Sequence, residues 1–461
     1  MSRAFISLKN KYTQEKVGIK FDKNIKISNV INELPFKLTH AQLKVLEEID
    51  TNMESEKTMN RLLQGDVGSG KTIVSIIATY KAVKSGYQVA VMAPTAILAS
   101  QHLESFTEVL SKYGIKCELL VSSITKKKKD EILEKLQSGE IDVLIGTHAI
   151  LEDNVIFKNL GLVVTDEQHR FGVRQRSTIA AKGNNPDVLV MTATPIPRTL
   201  ALILYGDLDI SIIDELPPNR KKIETYAVTK SMTERVNNFI KKQINEGRQI
   251  YVVCPLVEEN EEIKANSVIE LAEKYKNKVF KDYKVEYIHG KMRPKEKDEI
   301  MQKFKDGEID ILISTTVIEV GVNVPNSSTM IVENAERFGL AQLHQLRGRV
   351  GRGEYQSYCI LKYNSGSDVV RERMKIMQDT NNGFIIAEKD LELRGSGEFF
   401  GTKQHGLPEF KIANLFEDMN ILQSVQAVAN KIIDEDPELK MEKNKALKKI
   451  VDQRFGERID I

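Results

Sequence analysis

The sequence predicts an α/β protein: two parallel-sheet domains of the same kind in tandem, followed by a small helical hairpin and tail. Three observations carry this. Nearly identical stretches, SGEIDVLIGTHAI (Ser138–Ile150) and DGEIDILISTTVI (Asp306–Ile318), recur in the two halves. Short apolar, β-branched runs alternate with helical segments throughout, as buried parallel strands and their crossover helices do. DELPPNRKK (Asp214–Lys222) separates the halves, and its two prolines continue neither a helix nor a central strand.

A chain of 461 residues, 41% hydrophobic, is long enough for at least two packed cores. Its 67 basic and 65 acidic residues leave a net charge of +2, so nucleic-acid binding must come from local patches. Cys117, Cys254 and Cys359 lie far apart and read as free thiols of a reducing cytosol. The histidines show no clustered spacing, which argues against zinc. No run approaches the roughly 18 apolar residues of a membrane span, and Lys9, Lys11, Lys16 and Lys20 leave the N-terminus without a signal-peptide core. A soluble, cytoplasmic protein is expected.

In chain order, residues 1–34 are polar and are assigned as an N-terminal remnant or linker. The first domain, 35–215, takes its strands from YQVAVMAP, LGLVVTDE and DVLVMTAT. GDVGSGKT (Gly65–Thr72) opens the helical stretch IVSIIATYKAVK. Gly65, Gly68, Ser69 and Gly70 let backbone N–H groups fold around phosphate oxygens, Lys71 reaches the β- and γ-phosphates, and Thr72 can hold Mg²⁺. VVTDEQH (Val163–His169) ends an apolar strand in two carboxylates: Asp166 suits the metal and Glu167 the attacking water. An isolated Asp-Glu pair is an ordinary solvated strand end; a preceding P-loop reverses that reading. The second domain, 222–385, takes its strands from RQIYVVCP, KVEYIHG and STMIVEN. Its QLRGRVGRG (Gln345–Gly353) is by itself a basic turn, but in a tandem nucleotidase Arg349 and Arg352 stabilise charge on the γ-phosphate from across the cleft. Residues 386–461 form the hairpin and a charged helical tail broken at Pro437. Lys126–Lys129 read as a solvated helix face, and Phe399 and Phe400 as packing within the hairpin.

Together these motifs resemble superfamily 2 helicases, and more closely the RecG branch-migrating DNA helicases, from about Leu34 to about Leu415. The resemblance implies two RecA-like P-loop domains, ATP and Mg²⁺ as cofactors, and hydrolysis that drives movement on forked and branched DNA. LPFKLTHAQ is similar to the adenine-reading motif and marks Phe36 and Gln42. Gln168 and His169 complete the DEQH stretch, with His169 linking ATP to the other domain. MAPTAILASQH, IGTHAIL and MTATPIPRTLAL look like the DNA-contacting and coupling motifs of the first domain, marking Pro94, Thr95, Gly146, Thr147, Thr192 and Thr194. TTVIEVGVNVPN and HQLRGRVGRG look like those of the second, marking Thr315 and Thr316 for nucleic acid and Gly321 for nucleotide. DLELRGSGEFFGTKQHGLPEF (Asp390–Phe410) resembles the translocation motif shared with the transcription-repair coupling factor. It makes Arg394 and Gln404 candidates for relaying domain closure to DNA movement.

Asn323 stands where many superfamily 2 helicases have Asp, and Ser396 and His405 where related sequences often have Pro and Ser. RecG proteins carry an N-terminal wedge domain, and the roughly 35 residues before the motor are too few and too polar for such a barrel. The expectation is a monomeric motor without its wedge, with sequence-independent, salt-sensitive DNA binding and with unwinding impaired more than hydrolysis. An uncoupled nucleotide- and DNA-binding remnant and an RNA helicase are the alternatives. The intact set Lys71, Thr72, Asp166, Glu167, Arg349 and Arg352 favours the enzyme.

Overall fold

The computed structural model describes residues 18–166, 178–193, 208–218, 220–255, 261–315, 324–351, 353–364 and 366–398, and single positions and short runs between 424 and 455. The first domain holds strands β1 (Asn60–Gly65), β2 (Gln88–Met92), β3 (Cys117–Leu120), β4 (Val143–Gly146), β5 (Leu160–Asp166), β6 (Asp187–Thr192) and β7 (Asp209–Ile213). They form one all-parallel sheet in the order β3-β4-β2-β5-β6-β1-β7. The second holds β8 (Glu224–Val228), β9 (Gln249–Val253), β10 (Val285–Ile288), β11 (Ile311–Ser314), β12 (Ser327–Val332) and β13 (Tyr358–Lys362), again all parallel, ordered β10-β11-β9-β12-β13-β8.

The helices that matter for the site are α1 (His40–Met53), α2 (Lys71–Lys84), α3 (Ala96–Leu110), α4 (Lys126–Ser138), α5 (Pro294–Lys305), α6 (Leu340–Arg347), α7 (Asp368–Asp379) and α8 (Gly383–Glu398). Apolar side chains cover both faces of each sheet, so its central strands are near-continuous hydrophobic runs, while the edge strands β7 and β8 alternate. Burying each such aliphatic side chain contributes about 1.5–3 kcal/mol.

The repeated sentence of the sequence has a common hydrogen-bond scheme. α4 is closed by Gly139 in the left-handed conformation (φ 85°), and Gly307 (φ 78°) takes the same place after α5, as a residue without a Cβ does at least cost. The carboxylates of Asp142 and Asp310 then accept the backbone N–H of Lys116 and Lys284, both at 2.8 Å. On the central strands Gln88 Nε2 donates to the carbonyls of Leu136 and Ile141, and Gln249 Nε2 to those of Phe304 and Ile309. Glycine, aspartate and glutamine thus do the same work in both sheets, and the echo marks two domains built alike.

Because all strands of a sheet run one way, every motif that follows a strand emerges on the same edge. The P-loop follows β1, Pro94 and Thr95 follow β2, Thr147 follows β4, and Asp166 and Thr192 end β5 and β6. Gly146, the last residue of β4, leaves no room for a side chain: a Cβ there would lie 2.1 Å from the Leu120 carbonyl oxygen. The first sheet ends at Ile213 and the second begins at Glu224, on either side of the proline-rich segment. The described part of residues 1–34, assigned from sequence to a linker, packs on the first domain, with Phe21 and Val30 in its core. At the other boundary α8 runs across residue 385, and Ile386 belongs to the core of the second domain. Among the described residues no helix is long and apolar enough to cross a membrane.

Candidate nucleotide site between the domains

The P-loop bends over the end of β1 on two glycines with positive φ, Gly68 (75°) and Gly70 (86°), before α2 starts at Lys71. Lys71 is mostly buried and folds back across the loop, its Nζ donating to the carbonyls of Gly65 and Asp66, both at 2.9 Å. Gln42 braces the loop from outside. Its Nε2 donates to Ser69 O at 2.8 Å while its Oε1 accepts from Thr39 N–H at 2.8 Å, closing a capping box at the start of α1. The residue read as an adenine contact is therefore held against the phosphate loop itself. Phe36, from the same motif, is exposed. A buried Lys81 on α2, paired with Asp50 of α1 and with Glu54 that caps it, locks the two helices together.

Asp166 stands at the mouth of the loop, its Oδ2 2.9 Å from His102 Nε2 on α3. Lys71, Thr72, His102 and Asp166 line one wall of a cleft of about 650 Å³, and Arg349 of the second domain lines the other. The cleft brings together an ammonium, a hydroxyl, a carboxylate and an opposed guanidinium, the donor set that a triphosphate and its hard cation require. Its volume lies within the range of small-molecule sites.

The second domain touches the loop directly. Gly348 packs on Val67, where a Cβ would lie 2.8 Å from Val67 Cβ, so the glycine of QLRGRVGRG permits the close approach. The inter-domain segment joins in: Glu215 accepts from Ala41 N–H at 3.2 Å, and Arg220 donates to the Val67 carbonyl. Burial lowers the Arg220 pKa, with nearby Asp66 opposing the shift. The Asp66 carboxylate accepts from Val67 N–H (2.7 Å), pairs with His344 Nε2 on α6, and accepts from Gly383 N–H (3.0 Å) at the start of α8. Burial alone would raise its pKa, but His344 and the two N–H groups outweigh burial and hold it below the usual carboxylate range.

Of the other residues singled out from sequence, Thr95 caps α3 through Leu98 N–H, Thr147 donates its N–H to Leu120 O, and Thr192 and Thr315 are buried at strand ends. Gly65 is the last residue of β1, and Ser69 is buried within the loop. Arg394 lies on α8. Glu167, Gln168, His169, Thr194, Thr316, Gly321, Arg352 and Gln404 lie outside the described residues, as do Asn323, Phe399, Phe400 and His405.

Residues 39–203 match the DEAD/DEAH box helicase family, residues 231–354 the helicase conserved C-terminal domain, and residues 380–456 the family described as ATP-dependent DNA helicase RecG, domain 3, C-terminal. The chain is 51% identical over 413 residues to the ATP-dependent DNA helicase RecG of Bacillus subtilis (strain 168), covering 90% of this chain and 61% of that one. Over that span the chain is similar to RecG. The Streptococcus pneumoniae RecG (serotype 4, strain ATCC BAA-334 / TIGR4) is 51% identical over 421 residues, covering 90% of this chain and 62% of its own. A solved structure of RecG bound to a three-way DNA junction shares 43% identity and a TM-score of 0.77, covering 92% of this chain and 55% of that chain. The chain thus spans less than two thirds of the length of these RecG relatives.

Sequence reasoning assigned no part to Asp66, His102, Arg220, His344 or Gly383. The first four lie inside motifs or the linker that were read for other residues. Asp66 occupies a variable position of the P-loop, and no local pattern announces a partner hundreds of residues away.

Proposed function

We propose that this chain is the motor of a RecG-type DNA helicase, hydrolysing ATP between its two domains to move on double-stranded DNA at forks and branched junctions. The observation that carries this reading is one cleft lined by Lys71, Thr72 and Asp166 from one domain and by Arg349 from the other. Lys71 and the N–H groups of the glycine-rich loop would hold the phosphates, and Thr72 and Asp166 would hold Mg²⁺. When bound there, the ion neutralises charge on the phosphate oxygens. On sequence grounds Glu167 orients the attacking water and Arg352 joins Arg349. Arg349 meets the γ-phosphate only while the second domain is seated on the P-loop, so hydrolysis and domain closure are coupled. Thr147 and Thr315 follow equivalent strands of the two sheets, β4 and β11; Thr147 places a small polar group for the nucleic-acid backbone, while Thr315 is buried. The relative solved on a three-way junction supports branched DNA as the substrate.

The test is steady-state ATP hydrolysis with and without a model DNA fork at fixed low salt. Stimulation by the fork that disappears in Lys71→Ala is expected, and Arg349→Ala is expected to lower the rate about 10³-fold while retaining nucleotide. A rate indifferent to DNA refutes the motor reading.

A further inference from the structure

The buried contacts of Asp66 join three parts of the chain that are far apart in sequence: the P-loop, α6 of the second domain and the first turn of α8, inside the RecG-specific match. Arg347 sets the polarity of this junction. One guanidinium nitrogen donates to the Met377 and Thr380 carbonyls, at 2.7 and 2.9 Å, and so anchors to the end of α7. The other donates to His344 Nδ1 at 2.9 Å. An imidazole that accepts at Nδ1 carries its proton at Nε2, so His344 donates to Asp66. The Gly383 N–H, one of the first-turn donors that a helix cannot satisfy itself, takes the same carboxylate as its acceptor, and the negative charge lies at the positive end of the α8 dipole. Asp66 thus serves as a capping carboxylate for α8, supplied from another domain.

We infer that Asp66 is a positioning residue through which the shape of the P-loop sets the placement of α8, the helix that carries Asp390 and Arg394. The inference rests on the ATP-driven reading above. Gln42 braces the P-loop at Ser69 O, and a phosphate held by the loop N–H groups would draw on the residues around Gly68. Asp66 is in the loop backbone, two residues before Gly68, so any such adjustment moves a carboxylate whose partners are all protein groups. Arg347 and His344 keep that movement from dissipating in α6, because α7 holds them from behind. The remaining outlet is the Gly383 N–H and the helix that it opens.

The direct test is hydrogen exchange of the peptide spanning residues 380–390 in the full chain, with and without AMP-PNP. In the wild type, nucleotide is expected to change protection of this peptide. Asp66→Asn, which keeps one acceptor oxygen but loses the charge, is expected to abolish that response. His344→Gln guards against a folding defect in the loop variant and is expected to act likewise, with the double variant no worse than either single one. In a triplex-displacement assay, which reads movement along intact duplex DNA, Asp66→Asn is expected to lower displacement per ATP hydrolysed about tenfold, the loss of one charge-assisted hydrogen bond. A merely structural role lowers hydrolysis and displacement in proportion, and that outcome overturns the inference. So does an exchange response that is missing in the wild type or intact in Asp66→Asn. If the wild type binds AMP-PNP yet hydrolyses no ATP on DNA, the motor reading fails, and the exchange result still decides whether the P-loop and α8 are connected.

Discussion

Asp187 opens β6 in the middle of the first sheet and is fully buried. One carboxyl oxygen accepts Met59 N–H at 2.8 Å, at the head of the strand that leads to the P-loop, and the other has no hydrogen-bond partner among the described residues. Burial raises its pKa from 3.8 to about 8, with the Met59 N–H only partly offsetting the shift. Below pH 3.8 the group is protonated in both states and its contribution to stability is fully present. As pH rises from there to about 8, the unfolded chain releases a proton that the native state keeps, and stability falls by about 1.4 kcal/mol per pH unit. Asp187→Asn retains the oxygen for Met59 and does not titrate. Its constant cost, a buried amide N–H₂, is the same at every pH. The stability of the variant relative to the wild type should therefore rise by about 3 kcal/mol between pH 5 and pH 7. Urea denaturation followed by circular dichroism at pH 5, 6 and 7 measures the difference. Parallel pH profiles for the two proteins would refute the reasoning, because they mean that Asp187 is ionised in the native state as it is in the unfolded chain.

Three further outcomes are expected. His102→Ala removes the partner 2.9 Å from Asp166 and should raise the Mg²⁺ concentration for half-maximal hydrolysis about tenfold; an unchanged Mg²⁺ titration counts against Asp166 as the metal ligand. Gly146→Ala places a methyl 2.1 Å from the backbone oxygen of Leu120 and should cost at least about 3 kcal/mol, read as a loss of thermal stability of the first domain. Cys254 and Cys359 are buried, and burial pushes both thiols up to about 12; iodoacetamide at pH 8 should leave both unmodified in the native chain and alkylate both in urea.

Much of this molecule is legible in one dimension because its chemistry is local. A P-loop needs its glycines, lysine and threonine within eight consecutive positions, since one loop must present its N–H groups to one phosphate chain. Parallel strands are apolar on both faces, so their runs stand out, and a helix that turns into such a strand needs a left-handed residue at the turn, met by Gly139 and Gly307. The duplicated Asp142 and Asp310 belong to the same short grammar. Gln42 shows what a motif leaves unsaid: both of its amide atoms also hold the start of α1 and the phosphate loop in place.

By itself, then, the sequence determined two like α/β domains, the phosphate loop with Lys71 and Thr72, the carboxylate at the end of β5 and Arg349 of the second domain, which lines the same cleft. Only the tertiary structure decided how these parts are joined. Asp66 meets His344 across 278 residues and Gly383 across 317, and Gly348 meets Val67 through bare contact. Such encounters obey no period or spacing. They arise where two separately folded surfaces close, and a single aspartate, histidine or glycine carries no local sign of which surface it will face.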